Sequence, residues 1–104
     1  MMKKLLFFLG IAGSVWACTT LNAEDSKAEG EQLYRTYCVA CHGAKGNMGG
    51  SGAFDLTVSP LTLDQRIEVI TNGRNAMASF KTMIPPSKIR AVAEYTMQLK
   101  PSMK

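Results

Sequence analysis

Cys38-Val39-Ala40-Cys41-His42 is the stretch on which the fold turns. Two cysteines three positions apart, with a histidine directly after the second, form the attachment signature of a c-type haem. The spacing has a chemical reason. Both thiols must reach the two vinyl groups on one edge of a porphyrin to form thioether bonds, and the next residue is then carried under the ring. Cys38 and Cys41 read as the anchors and His42 as the proximal ligand of the iron. The chain has a single histidine, so it offers no other imidazole for the metal.

Two other chemistries use similar spacings. A structural zinc site wants four Cys or His ligands, and this pattern supplies three. A thiol redox pair of the thioredoxin type sits beside a βαβ pattern. No alternating or β-branched run in this chain would supply such a sheet. Haem attachment is the reading that the surrounding sequence supports.

Upstream, Lys3 and Lys4 precede an apolar run from Leu5 to Ala17 broken only by glycine and Ser14. This is the layout of a secretory signal peptide, and the run is short for a transmembrane span. Cleavage after Ala23 predicts a signal over 1–23 and one domain over 24–104. In a second reading, Val15-Trp16-Ala17-Cys18 is a loose lipobox, Cys18 is lipidated, and the protein is tethered to a membrane. An uncleaved signal would tether it too. Either way Cys18 drops out of the cysteine count, and the two left are those of the motif. Export agrees with this, because c-type haem is attached outside the bacterial cytoplasm, so the expected location is periplasmic.

The formal charge of +4 shrinks to +2 once Lys3 and Lys4 are removed. Two haem propionates would bring the loaded protein near neutrality. No run of Lys and Arg interleaved with aromatics appears, which argues against nucleic-acid binding. A domain this small buries a limited core by itself, and a covalently held porphyrin would add a large apolar surface to pack on.

Three helices are predicted in the remaining chain. Ser26-Lys27-Ala28-Glu29 reads as a capping box opening a helix that runs to about Cys38. Gly30, Tyr34 and Cys38 lie four apart on one face. A glycine inside a helix costs roughly 1 kcal/mol relative to alanine, and is best explained by a second helix crossing close against it. Gly43 to Ser59 reads as a glycine-rich loop, anchored by Phe54 and Leu56, with Met48 partly exposed. Its glycines lack the Gly-Lys-Ser/Thr ending and preceding strand of a phosphate loop. Thr62-Leu63-Asp64-Gln65 opens a second helix that carries Ile67 and Ile70 inward and stops at Asn72-Gly73. Pro85-Pro86 starts a third, with an apolar stripe of Ile89, Val92, Ala93, Tyr95, Thr96 and Leu99, ended by Pro101.

One axial position of a histidine-ligated iron is still to be filled. With no second histidine, the electron-transfer solution is a methionine thioether, which raises the potential. Met97 is in the last helix, Met103 in the tail, and Met48 close to the histidine side. Between the remaining two, Met77 sits in a helix-free loop among small residues, whereas Met83 reads as a core residue at the start of the third helix. Met77 is the expected distal ligand.

With these parts in place, the chain resembles a small class I monohaem cytochrome c of the bacterial periplasmic type, similar also to the cytochrome modules of terminal oxidases and dehydrogenases. The resemblance runs from about Ser26 to Leu99. Gly30 and Tyr34 match the glycine and aromatic of the family's first helix and Tyr95 the aromatic of its last. Asn72-Gly73, Ala76-Met77 and Phe80 match its methionine loop. It implies an all-α fold of three main helices and loops around one covalent haem c. Two departures stand out. Ala78 occupies the place of the family's proline after the methionine, which predicts a less rigid loop. Phe54 replaces the proline whose carbonyl receives the imidazole N–H; its own carbonyl is expected to take that bond. The only tryptophan, Trp16, lies in the signal, leaving Arg74, Asn72 and Lys45 as candidate partners for the propionates.

What the resemblance implies is a periplasmic one-electron carrier with His42 and Met77 on the iron. Redox partner proteins (a dehydrogenase, an oxidase or another cytochrome) would dock transiently at the haem edge. No acid, base or nucleophile constellation points to an enzyme. The alternatives are a fixed haem subunit of a dehydrogenase or oxidase complex, and a ligand-binding or peroxidatic site if Met77 is labile.

Overall fold

The computed structural model describes residues 23–101 together with Gly10, Gly13 and Ser14. The expected signal, with Cys18, otherwise lies outside the described residues. The described chain is helical: α1 (Ala23–Tyr37), α2 (Val39–His42), α3 (Leu63–Asn72) and α4 (Pro86–Thr96), with one 3-10 turn at Gly50–Gly52. Among the described residues there is no β-strand, and one isolated bridge joins Arg74 to Met77. No described helix is long and apolar enough to cross a membrane.

Helix α1 and helix α4 cross where the sequence places Gly30. A Cβ built on Gly30 would run into the Ala91 carbonyl oxygen of α4, and would lie 2.8 Å from the Ala91 carbonyl carbon and 3.2 Å from Tyr95 Cβ. The two backbones therefore touch directly, and only glycine leaves room. One turn later Tyr34, fully buried, packs its ring against Tyr95 at a centroid distance of 5.2 Å and a tilt of 50°. Ile70, Ile84, Ile89, Val92 and Ala93 complete the core around this crossing.

The capping box expected at Ser26 does not form. α1 begins at Ala23, so Ser26 already sits inside the helix, and Glu29 instead pairs with Lys88 at the start of α4 at 3.2 Å. The box at α3 forms completely: Gln65 N–H donates to Thr62 Oγ1 (3.3 Å) and Thr62 N–H donates to Gln65 Oε1 (2.9 Å). α4 ends at Thr96, short of Leu99, which still packs against the core from the segment that follows. Met83 is half-exposed rather than a core residue, because Ile84 takes the buried place beside it.

Gly30→Ala is expected to lower stability by about 1–3 kcal/mol, because a methyl forced onto backbone atoms overpacks the crossing by more than the gain in helix propensity returns. A thermal melt of the holoprotein should show the midpoint falling by several degrees. An unchanged midpoint would mean that the helices do not cross this tightly.

Candidate functional site

The α1–α4 crossing fixes where the end of α1 points, and the haem motif follows at once. The Cys38 N–H donates to the Tyr34 carbonyl (2.9 Å), and the His42 N–H to the Cys38 carbonyl (2.9 Å), so Cys38–His42 continues as a short second helix. Tyr34 then ties the far side of the motif. Its hydroxyl donates to the Gly43 carbonyl at 2.6 Å, one residue beyond His42. Burial pushes the Tyr34 phenol up to about 12, with smaller contributions from Cys38 and Tyr95.

The second group of candidate residues comes from the loop after α3. Gly73 stops the helix at φ 77°, and a Cβ there would lie 2.6 Å from the Met77 carbonyl oxygen and 2.8 Å from the Ser79 nitrogen. The chain therefore folds back on itself. Arg74 N–H donates to the Met77 carbonyl (3.0 Å) and Met77 N–H to the Arg74 carbonyl (2.9 Å), closing a turn around Asn75, whose φ of 51° asparagine tolerates. Ser79 Oγ donates to the Thr71 carbonyl at 2.5 Å, and Phe80 N–H to the Ile70 carbonyl at 3.0 Å. The loop thus lacks the family's proline at Ala78 but is held by hydrogen bonds on both sides of that position. This tightness was not legible from the residue types alone.

Both groups face one cavity of about 510 Å³, mainly apolar in its walls. Cys38, Cys41 and His42 line it from the α1–α2 side, Met77 from the loop, and Phe54, Leu56, Val69, Ile70 and Phe80 supply apolar wall. Met48 and Met83 are not on its wall, so among the described residues Met77 is the methionine that shares the cavity with the histidine. The thiols differ: Cys41 is exposed, while burial raises Cys38 to about 11. A redox-active dithiol needs a lowered pKa, so the raised Cys38 speaks against thioredoxin-type chemistry.

The Phe54 backbone faces the imidazole as expected, although no hydrogen bond to Nδ1 closes among the described residues. Burial lowers the His42 pKa, and the Phe54 backbone opposes that by favouring the protonated ring. Yet Nδ1 is buried with no hydrogen-bond partner. The other ring nitrogen, Nε2, is then the one that would take an iron. Together with two unpaired cysteines on the same apolar wall, it fits a covalently attached porphyrin.

Of the residues expected to meet the propionates, Arg74 lines the cavity, while Asn72 and Lys45 do not. The wall also holds Arg66, which the sequence reading missed. Its side chain is 7% exposed. Nothing in its neighbourhood along the chain marks it out, since it occupies a polar position on an amphipathic helix. The contacts that hold it come from the Ser59–Leu61 loop and from Thr96, 30 residues away.

Substituting Tyr34 by Phe should reveal the phenol in the pH dependence of stability. The folded pKa lies above the unfolded one near 10. The wild-type advantage over Tyr34→Phe is therefore expected in full below about pH 10 and should shrink by about 2–3 kcal/mol as pH rises through 12. Denaturant titrations of both holoproteins across that range test this, and a constant difference would contradict a buried phenol.

The chain is similar to known proteins along its described length. Residues 25–95 match the family described as cytochrome C oxidase, cbb3-type, subunit III. A dihydro-heme d1 dehydrogenase of Pseudomonas aeruginosa is 42% identical over 76% of this chain, though the chain spans only 17% of that protein. A cytochrome c6 of a Nostoc species is 28% identical over 92% of this chain and 93% of its own length. Among solved structures, the KustC0563 c-type cytochrome superposes with a TM-score of 0.63 at 27% identity, covering 69% of this chain and 98% of that one. The family match spans the motif, the crossing helices and the methionine loop alike, and the chain belongs to the c-type cytochromes, electron-transport proteins that carry a covalently bound haem c.

Proposed function

We propose that the protein is an exported one-electron carrier, with its haem held by Cys38 and Cys41 and its iron bound axially by His42 and Met77. The observation that carries this reading is the gathering of these four side chains, from two separate parts of the chain, on one mainly apolar cavity. The chemistry a bound haem supplies here is one-electron exchange at its iron. The protein's share is to set the potential. The Met77 thioether favours the reduced metal and the apolar wall keeps water away, both raising the potential. The hydrogen-bonded turn around Asn75 keeps Met77 in reach although Ala78 gives the loop no proline.

With both axial positions filled by protein, no position on the iron is left for a substrate, and the cavity wall presents no carboxylate to serve as acid or base. That supports a carrier over an enzyme. Partners would meet the protein briefly in a small interface, as redox encounters do. Residues 1–23 serve as the export signal, and the working domain begins at Glu24 in the periplasm. A membrane tether would follow only from lipidation of Cys18 or an uncleaved signal.

A second reading is a dedicated haem subunit of a dehydrogenase or oxidase. It is favoured by the 42% identity to one part of a much longer dehydrogenase. Copurification with a catalytic subunit separates this from a free shuttle.

Met77→Ala tests the axial pair. The oxidised wild type is expected to show the weak band at the red edge of the visible spectrum that accompanies iron–thioether ligation, and the variant to lose it. Reduced Met77→Ala should also bind carbon monoxide rapidly at neutral pH while the wild type does not. A band that persists in the variant, or equally rapid binding in both, refutes the assignment.

A further inference from the structure

The least expected feature of the cavity is a cation in its wall with no anion to meet it. The Arg66 guanidinium donates through Nε to the Leu61 carbonyl (3.1 Å), through Nη1 to the Thr96 carbonyl (3.1 Å) and Thr96 Oγ1 (3.0 Å), and through Nη2 to the Ser59 carbonyl (3.1 Å). Arginine has five N–H donors, so these bonds leave one Nη2 hydrogen without a partner among the described residues. Every acceptor is neutral. The described ion pairs, Arg35–Glu31, Lys88–Glu29 and Arg90–Glu94, lie on the surface and do not involve Arg66. Arginine is almost never buried unless paired, and a buried charge without a counter-ion is costly.

Among the described residues, no Asp or Glu lines the cavity. Asp64 and Glu68, on the same helix, line a separate outer depression together with Arg74. From α4, only the neutral Thr96 reaches the cavity wall. The missing anion must then come from what the cavity holds, and a haem brings two carboxylate side chains with it.

We infer that Arg66 is the internal counter-charge of one haem propionate, held by its free Nη2 N–H and kept ionised by its charge. The inference rests on the haem occupying this cavity as proposed above. It assigns Arg66 a role beyond joining the Ser59–Leu61 loop, α3 and the end of α4. Arg74, more exposed and in the methionine turn, is left to the second propionate or to solvent. The consequence is a potential that does not follow pH near neutrality. A propionate that stays ionised cannot take up a proton when the iron is reduced. The other ionisable groups on the wall are Arg74, Tyr34, Tyr37, the two cysteines, which become thioethers, and His42, which is taken by the iron. Arginine and tyrosine ordinarily change charge well above neutral pH.

The test is a redox titration of the holoprotein between pH 5 and 8 in wild type, Arg66→Lys and Arg66→Gln. Wild type and Arg66→Lys are expected to hold a nearly constant midpoint potential. In Arg66→Gln the potential should fall below wild type at pH 8 and become pH dependent, decreasing as pH rises, because the propionate now titrates in this range. Should Arg66→Gln fail to accumulate, the propionate resonances of the wild type serve instead: one should keep its shift down to pH 5. A wild type in which both propionates titrate above pH 5, or an Arg66→Gln profile identical to wild type, overturns the inference. So does a potential that follows phosphate or chloride concentration, which would give the site to a solution anion. Haem content and the iron–thioether band, recorded on the same samples, report separately on whether the haem reading itself stands.

Discussion

The contact between Gly30 and the Ala91 carbonyl is the constraint on which the rest of the structure depends. It lets α1 and α4 approach until their backbones touch, and so stacks Tyr34 against Tyr95. The buried Tyr34 hydroxyl then reaches the Gly43 carbonyl, just past the motif. Cys38, Cys41 and His42 therefore inherit their position from a glycine more than a helical turn upstream. A chain that must hold a rigid ring by one edge gains from fixing that edge to its best-packed point.

The other side of the cavity is organised differently. There hydrogen bonds around Gly73, Arg74 and Ser79 add to the packing of Met77 and Phe80 against the core. Where the resemblance leads one to expect a proline after the methionine, this chain has Ala78. The closed turn and the Ser79 hydroxyl do comparable work by anchoring the loop to the last turn of α3. Arg66 joins the two sides, since its guanidinium binds the Ser59–Leu61 segment and the end of α4 while lining the same cavity. On the inference drawn above, a buried cation there would tie the fold to the bound group, a cost without an anion and a support with a propionate.

Much of this was legible in the sequence because it was local. The motif has fixed offsets, the Thr62–Gln65 box closes within four residues, and Gly30, Tyr34 and Cys38 share a face by helical period. Where the sequence misled, a longer-range contact had won. Ser26 had the pattern of a cap, but the helix extends past it and Glu29 turns to Lys88. Met83 looked like core, but Ile84 took that place. Arg66 was invisible because an arginine on an amphipathic helix ordinarily points to water, and what buries it comes from α4 and a loop. Phe54 reaches the imidazole with its backbone as expected, and whether a bond to Nδ1 closes depends on loop geometry that no sequence pattern encodes.

The central claim is that His42 and Met77 hold one iron between them. The most direct measurement is the NMR spectrum of the reduced holoprotein with its methionine methyl groups isotopically labelled. A methyl pressed against a porphyrin face is shifted far upfield by the ring current. The account predicts one such resonance, and that it belongs to Met77. A spectrum with every methionine methyl in the ordinary range, or a shifted resonance belonging to Met48 or Met83, would contradict it.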